Sequence, residues 1–195
     1  MKEIFYEESA TVSNEKAATI KYNIFKTVSV ISYVLMVLWI LIVFIAFDWS
    51  GNIIISLIFV LVPLIMFLLS GILFGKFKNK LYVDYDYTFV TGSIRVAKVI
   101  KNIKRKFVIK FETSAIEKIG VYGSETFDKY YNMPGITKMT LTSNVASAEN
   151  KDFYYIVANI DGDKKLMIFE CTETFIVNVL KFSNKMVLEQ EFSKK

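Results

Sequence analysis

The chain has 195 residues, no histidine and one cysteine, and its formal net charge at pH 7 is +5. The lack of histidine excludes Ser-His-Asp and Cys-His nucleophilic systems and histidine-ligated metals. A single cysteine, Cys171, excludes an intrachain disulfide and a cysteine-based zinc site, and it suits a reducing cytosol. We therefore expect no cofactor, no metal site and no catalytic residues.

Two uncharged apolar runs near the N-terminus indicate the class of protein. Residues 28–47 and 53–74 contain no Asp, Glu, Lys or Arg. About 20 helical residues cross the roughly 30 Å of hydrocarbon in a bilayer. The short connection between the runs leaves no room for a domain. The sequence therefore predicts a two-span transmembrane hairpin over residues 28–75, preceded by a cytosolic segment, residues 1–27.

Charges beside the two runs predict the orientation of the hairpin. The basic residues of its flanks are Lys21, Lys26, Lys76, Lys78 and Lys80, and the connecting loop has none. Basic residues in short flanks stay on the cytoplasmic side of a membrane. We expect a multi-pass protein of the cell (inner) membrane with both termini in the cytoplasm, and Trp49 in the loop at the opposite interface.

Gly71 and Gly75 form a G-x-x-x-G pattern at the end of the second run. Missing side chains at this spacing let two helix backbones approach closely. The pattern has two uses: it packs the second span against the first, or it joins two copies in a homodimer. Packing within the hairpin is favoured, because the short loop already holds the spans together.

Residues 81–195 are predicted to form one mainly-β cytosolic domain. The approximate strand bounds are 83–89, 94–100, 106–112, 116–122, 137–143, 153–160 and 164–170. Asp161-Gly162 predicts a tight hairpin turn between the last two strands, because a type I′ turn needs positive φ at both central positions. From Thr172 the apolar residues follow a helical period, which predicts a C-terminal amphipathic helix to about Glu191.

Alternation within the strands predicts which side chains are buried. In the first strand, aromatic residues alternate with Asp84 and Asp86, which are expected to face away from the core. In the third strand, the residues expected to point inward are Phe107, Ile109 and Phe111, and those expected to point outward are Lys106, Val108, Lys110 and Glu112.

Residues 123–135 are predicted to be a connection between strands. The segment is rich in large apolar side chains: Phe127, Tyr130, Tyr131 and Met133. Such side chains cover a core or form a partner-binding lip, and covering the core is the more frequent use.

Seven strands grouped four plus three and followed by one helix have the element order of the pleckstrin-homology (PH) superfold, a seven-stranded barrel or sandwich with a C-terminal helix. The segments Leu81 to Gly92, Lys104 to Lys106 and Leu166 to Glu170 carry a further resemblance. Through them the chain resembles an uncharacterised family of bacterial two-span membrane proteins, whose domain of unknown function is similar to PH-like domains. The resemblance implies topology and fold, and it supplies no activity or catalytic residues.

The densest charge feature is a basic hairpin in the second and third strands. Its residues are Arg95, Lys98, Lys101, Lys104, Arg105, Lys106 and Lys110. Beside a leaflet that contains anionic lipid, each such residue attracts the surface by about 1 kcal/mol. The alternative is a solvated basic edge that prevents strand pairing between molecules and pairs with Asp84 and Asp86. No recognition helix or RNA-binding motif accompanies these charges, so nucleic acid binding is not expected.

Two functions are compatible with these features. The first is a membrane-anchored, non-enzymatic interaction module that presents a PH-like domain to a protein partner or to anionic lipid headgroups at the cytoplasmic leaflet. The second is a small accessory subunit of a larger transport or envelope assembly, in which the hairpin is the working part. The sequence favours the first.

Overall fold

The computed structural model describes residues 4–46, 51–183 and 185–189. The chain divides into two compact units, one containing residues 14–82 and the other combining residues before Asn14 with those after Tyr82. Trp49 and the end of the predicted C-terminal helix at Glu191 lie outside the described residues.

The first unit is a helical hairpin. Helix α1 spans Glu15–Ala46 and helix α2 spans Ile53–Leu81. By length and composition both helices could cross a membrane, and only 11% and 6% of their most apolar windows are buried. Asn52 caps α2 by accepting a hydrogen bond from the Ile54 amide. Both predicted apolar runs therefore fall in helices, and those helices extend into the basic flanks.

The second unit contains eight described strands and two further α-helices. Their bounds are β1 Phe5–Ala10, β2 Val83–Val90, β3 Ser93–Ile100, β4 Lys104–Glu112, β5 Ile116–Val121, α3 Glu125–Tyr131, β6 Thr137–Thr140, β7 Asp152–Ile160, β8 Asp163–Cys171 and α4 Glu173–Phe182. One antiparallel sheet, sheet A, has the order β1-β2-β3-β4, and sheet B has the order β5-β7-β8-β6 with β6 parallel to β8.

Strand β1 shows that the hairpin is an insertion. It precedes α1 in the chain and pairs with β2, which follows α2, so that Ala10 lies opposite Tyr85. The seven predicted strands and the C-terminal helix are present, but the four-plus-three grouping is not, because β1 adds an eighth strand and the described strands form two four-stranded sheets that do not close into a barrel. Sequence analysis missed β1 because its partner strand lies beyond the entire hairpin.

Both sheets and α4 share one hydrophobic core. Tyr87 of β2 contacts Phe169 of β8 and Phe175 of α4, with ring centroids 5.1 Å and 5.7 Å apart. Its hydroxyl donates to the Leu141 carbonyl over 2.7 Å. Burial raises the pKa of the Tyr87 hydroxyl well above its usual value, so it remains a donor. A second, smaller cluster around Phe127 lies between α3 and sheet B.

The structure differs from the prediction in the segment 123–135 and at the end of the C-terminal helix. Residues 125–131 form helix α3, whose N-cap Ser124 accepts a hydrogen bond from the Phe127 amide. The C-terminal helix ends at Phe182 instead of continuing toward Glu191. It stops because Ser183 is extended and the following segment pairs with β5, where the Glu189 amide donates to the Ile119 carbonyl over 2.9 Å. The Asp161-Gly162 turn is confirmed, with φ of 56° and 86°.

Glu8 ties β1 to the start of α4. Its carboxylate accepts hydrogen bonds from the Thr172 amide and hydroxyl, both over 2.9 Å, and lies 3.5 Å from the Lys151 ammonium. The Glu8 side chain is 8% exposed. The positive N-terminal end of the α4 dipole also stabilises a carboxylate at this position. The N-terminal strand is therefore an integral part of the domain.

Replacing Glu8 by Ala should lower the free energy of unfolding of the domain by about 2 kcal/mol, because buried donors on Thr172 lose their acceptor. Glu7→Ala is the matched control, since Glu7 is exposed on the same strand, and it should change stability by less than about 0.5 kcal/mol. Urea unfolding of the full chain in detergent measures both. Equal effects would contradict the anchoring role of Glu8.

Candidate functional site

The basic hairpin of strands β3 and β4 is split between two faces of sheet A. Residues directly opposite one another share a face, and the inner face carries Ile94 and Val96, which are fully buried. The outer face carries Arg95, Arg105 and Lys110. The inner-face rows beyond the core carry Lys98, Lys104 and Lys106, and Lys101 lies in the turn. The predicted residues therefore do not form one surface: Arg95 and Lys110 lie near the end where Ser93 is opposite Glu112, and the other five lie at or beside the β3–β4 turn.

A β-bulge in β4 moves Phe107 to the outer face and Lys104 and Lys106 to the inner-face rows. The register shifts between Val96 and Ala97, so that Ile109 pairs with Val96 while Phe107 pairs with Ala97. Val108 is the extra residue. The prediction that Phe107 points inward was wrong: it is 60% exposed, whereas Ile109 is 6% exposed. The Arg95 guanidinium lies 5.6 Å from the Phe107 ring centroid on the outer face.

The positive charges of β3 and β4 face each other. Arg95 lies directly opposite Lys110, and Lys98 lies opposite Lys106. Like charges directly across a ladder are destabilising. Arg105 forms an ion pair with Asp86 over 3.0 Å. The arrangement leaves positive charge that an anion would stabilise.

Asp84 and Asp86 lie on the outer face, away from the aromatic residues as predicted, yet they are only 3% and 7% exposed. Strand β1 and the segment that follows it cover them: the Ser9 hydroxyl donates to Asp86 over 2.7 Å and the Val12 amide donates to Asp84 over 2.8 Å. Asp86 also pairs with Arg105, as the alternative interpretation of the basic edge expected. These two carboxylates link β1 and the segment after it to β2.

The β3–β4 turn has a defined geometry. Lys101 and Asn102 have φ of 48° and 54°, and the Ile103 amide donates to the Ile100 carbonyl over 3.0 Å. These features define a type I′ turn, which is shorter than the predicted stretch, since residues 104–106 already belong to β4. Ile103 is 80% exposed.

The end of sheet A that carries the β3–β4 turn is also the end where the chain enters from the helical hairpin. Ile100 lies opposite Val83 on one side and Lys104 on the other, and Val83 is the first residue of the domain after α2. With strands about 4.8 Å apart, Lys104 lies roughly 10 Å from Val83. The basic turn is therefore held close to the point where the chain leaves α2.

Asn144 holds the segment that leads from β1 toward the hairpin. Its side chain donates to the Thr11 carbonyl and accepts from the Ser13 amide, both over 2.8 Å. The neighbouring Ser143 hydroxyl donates to the Val83 carbonyl over 2.7 Å. One loop between β6 and β7 thus contacts the domain's chain on both sides of the insertion.

Glu170 of β8 holds the loop between β6 and β7 in place. It is fully buried and accepts hydrogen bonds from Asn144, from the Thr142 hydroxyl and from the Ala148 amide. Sequence analysis missed Glu170 and Asn144, because a lone acid at a strand end and an asparagine in a loop carry no signal of their distant partners.

Within the hairpin, Gly71 and Gly75 face α1. The Ser29 hydroxyl donates to the Gly71 carbonyl over 2.8 Å, and a Cβ on Gly71 would lie 2.8 Å from the Tyr33 ring. A Cβ on Gly75 would lie 3.2 Å from the Ser29 hydroxyl. The Trp39 indole donates to the Val60 carbonyl over 3.1 Å, one turn before Pro63. These contacts join the two helices of one chain.

The predicted aromatic segment divides into core and surface. Phe127 is 4% exposed and stacks on Tyr122, Tyr131 and Tyr155, with ring centroids 4.6 to 5.6 Å apart. Tyr131 is 41% exposed and carries the Lys138 ammonium 4.0 Å from its ring centroid. Burial and the adjacent Glu189 carboxylate raise the pKa of the Tyr155 hydroxyl. Phe127 therefore covers the core.

Two apolar helices together with a two-sheet, mostly-β domain and a C-terminal helix define a class of hairpin-bearing PH-like proteins. The family model described as "Bacterial PH-like domain (DUF6106)" matches residues 15–189, and the chain belongs to this family. The matched part includes both apolar helices, and β1 precedes it. No curated protein and no solved structure matches the chain.

The bulge at Val108 predicts different tolerances along β4. Ile109→Asp should abolish cooperative unfolding of the domain or lower its stability by at least about 3 kcal/mol, because a charge would be buried without a partner. Phe107→Asp should cost less than about 1 kcal/mol, since Phe107 is exposed. Thermal unfolding of the full chain followed by circular dichroism distinguishes them. Equal damage from both substitutions would contradict the bulged register.

Proposed function

We propose that this chain is an integral membrane protein whose hairpin crosses the cell membrane and holds a non-enzymatic PH-like interaction module at the cytoplasmic leaflet. The hairpin exposes large apolar side chains along both helices, such as Phe44 at 88% and Ile53 at 69%. A continuous apolar surface of this size needs a covering in water. Lipid tails supply that covering.

The strand pairing supports a hairpin topology. Because β1 and β2 are hydrogen-bonded neighbours, the residues before α1 and after α2 occupy one compartment. The basic flanks, from Lys21 to Lys80, favour the cytoplasmic side for both ends. The domain then lies beside the leaflet that contains anionic lipid.

One observation carries the proposed role: the basic turn lies at the end of sheet A that joins the hairpin. The uncharged run of α2 ends at Gly75, and the chain reaches Val83 within at most about 16 Å, counting 1.5 Å per helical residue and 3.3 Å per extended residue. The headgroup layer occupies roughly 5 to 7 Å of that span. Val83 thus lies at most about 9 to 11 Å beyond the headgroup layer, a distance close to the Debye length of about 8 Å.

The concentration of positive charge at this position has a ready ligand. Lys101, Lys104 and Lys106 would each contribute about 1 kcal/mol of attraction to an anionic surface. Headgroup phosphates would also relieve the repulsion between Lys98 and Lys106. We infer that the domain docks on anionic lipid through this end of sheet A, which fixes the position of its remaining surface for a protein partner.

The topology can be tested by thiol labelling in intact cells. Cysteines introduced at Lys21 and Lys80 should react only after the cytoplasmic face is opened, and a cysteine at Ser50 should react from outside. The native Cys171 is fully buried and should remain unlabelled. Labelling at Lys80 from outside would overturn the proposed orientation.

Lipid docking can be tested by amide hydrogen exchange of the full chain in nanodiscs. Residues 98–106 should exchange more slowly in discs with anionic lipid than in neutral discs, and added salt should remove the difference. The triple substitution of Lys101, Lys104 and Lys106 by Glu should remove it too. Lys129→Glu with Lys181→Glu is the control on exposed residues elsewhere in the domain.

Equal exchange in both kinds of disc at low salt would contradict lipid docking. Protection that appears only after a polytopic protein co-purifies with the chain would instead favour the accessory-subunit role.

A further inference from the structure

We propose that Ile103 is an interfacial anchor, which inserts its side chain into the boundary between headgroups and acyl chains while the neighbouring lysines contact phosphates. This inference rests on the lipid docking proposed above and names how the turn engages the leaflet. An apolar tip with a charged rim suits that boundary, because the two parts prefer different depths.

The surroundings of Ile103 match this role. Its side chain is 80% exposed at the tip of the β3–β4 turn, between Lys101 and Lys104. The turn lies at the end of sheet A where Val83 receives the chain from α2. The Ile103 amide already donates to the Ile100 carbonyl, so the tip can leave water without exposing an unsatisfied donor.

The turns of two other β-hairpins in the domain can be compared with the β3–β4 turn. The Thr91-Gly92 and Asp161-Gly162 turns also have positive φ at both central positions. The residues directly after these turns are Ser93 and Asp163, which pair with Val90 and Ile160, whereas Ile103 lies in the loop between the paired residues Ile100 and Lys104. The Thr91-Gly92 turn lies at the opposite end of sheet A. An apolar residue follows the turn only at the end that joins the hairpin.

Turn geometry alone does not require isoleucine here. Lys101 and Asn102 occupy the left-handed region without glycine, which costs conformational energy. An isoleucine exposed to water contributes no favourable free energy of burial, and the Ile103 side chain is not part of the described core. Burial in the leaflet would give the side chain an apolar environment and offset that cost.

The depth of residue 103 is the direct test. A cysteine at Ile103, labelled with the fluorophore NBD in the full chain, should emit at shorter wavelength in anionic vesicles. Spin labels high on the acyl chain should quench it more strongly than a headgroup label. A cysteine at Asp163, which is exposed directly after the Asp161-Gly162 turn, is the matched control, and its probe should emit as in water. A probe at 103 that behaves like this control would overturn the inference.

A second experiment separates Ile103 from the lysines. Ile103→Asp should reduce the hydrogen-exchange protection of residues 98–106 in anionic nanodiscs at least fivefold, and Ile103→Leu should retain it. Because the residue is exposed, neither change should affect folding. If the lysine substitutions remove protection and Ile103→Asp does not, the anchor is wrong and lipid docking stands. If no lipid-dependent protection exists in the parent chain, both proposals fail.

Discussion

The pairing of β1 with β2 is the constraint on which the rest of the structure depends. These strands lie side by side although the entire helical hairpin separates them in sequence. The pairing and the packing of α1 on α2 favour each other, because each brings the ends of the insertion together and lowers the entropy cost of closing the long loop. The Tyr82 hydroxyl, which donates to Glu15 over 2.7 Å, links the two ends within the hairpin unit. A membrane-spanning insertion between two paired strands would cross the bilayer an even number of times.

Buried carboxylates make the junction between strand and insertion specific. Asp84, Asp86 and Glu170 are each less than 9% exposed, yet all three accept hydrogen bonds from segments distant in sequence. An unpaired buried charge would cost several kcal/mol, so these side chains strongly disfavour any other path for the chain. Their effect is to keep the Thr11 to Ser13 segment, Val83 and the β3–β4 turn in one fixed arrangement. The turn therefore cannot move freely with respect to the start of β2.

The extent to which the sequence predicted this structure follows from the range of the interactions. The two apolar helices, the Asp161-Gly162 turn and most strands of the domain depend on local pattern, and they could be recognised. Strand β1, the end of α4 at Phe182 and the burial of Asp84 depend on partners far away in the chain. The β-bulge at Val108 left no local signal either, so alternation placed Phe107 on the wrong side. Ile103 was overlooked because a single isoleucine between lysines is unremarkable until its exposure and position are known.

The bulge at Val108 bears on the kind of ligand that this domain suits. A regular β4 would place Phe107 in the core and would put Lys104, Lys106 and Lys110 together on the outer face. After the bulge, Lys106 and Lys104 lie in the inner-face rows, while Arg105 lies on the outer face. Positive charge then surrounds the end of the sheet on both sides of the turn. Such a distribution complements an extended anionic surface approached end-on better than a single phosphate group held in a pocket, and a bilayer is the extended surface to which the hairpin would already attach the domain.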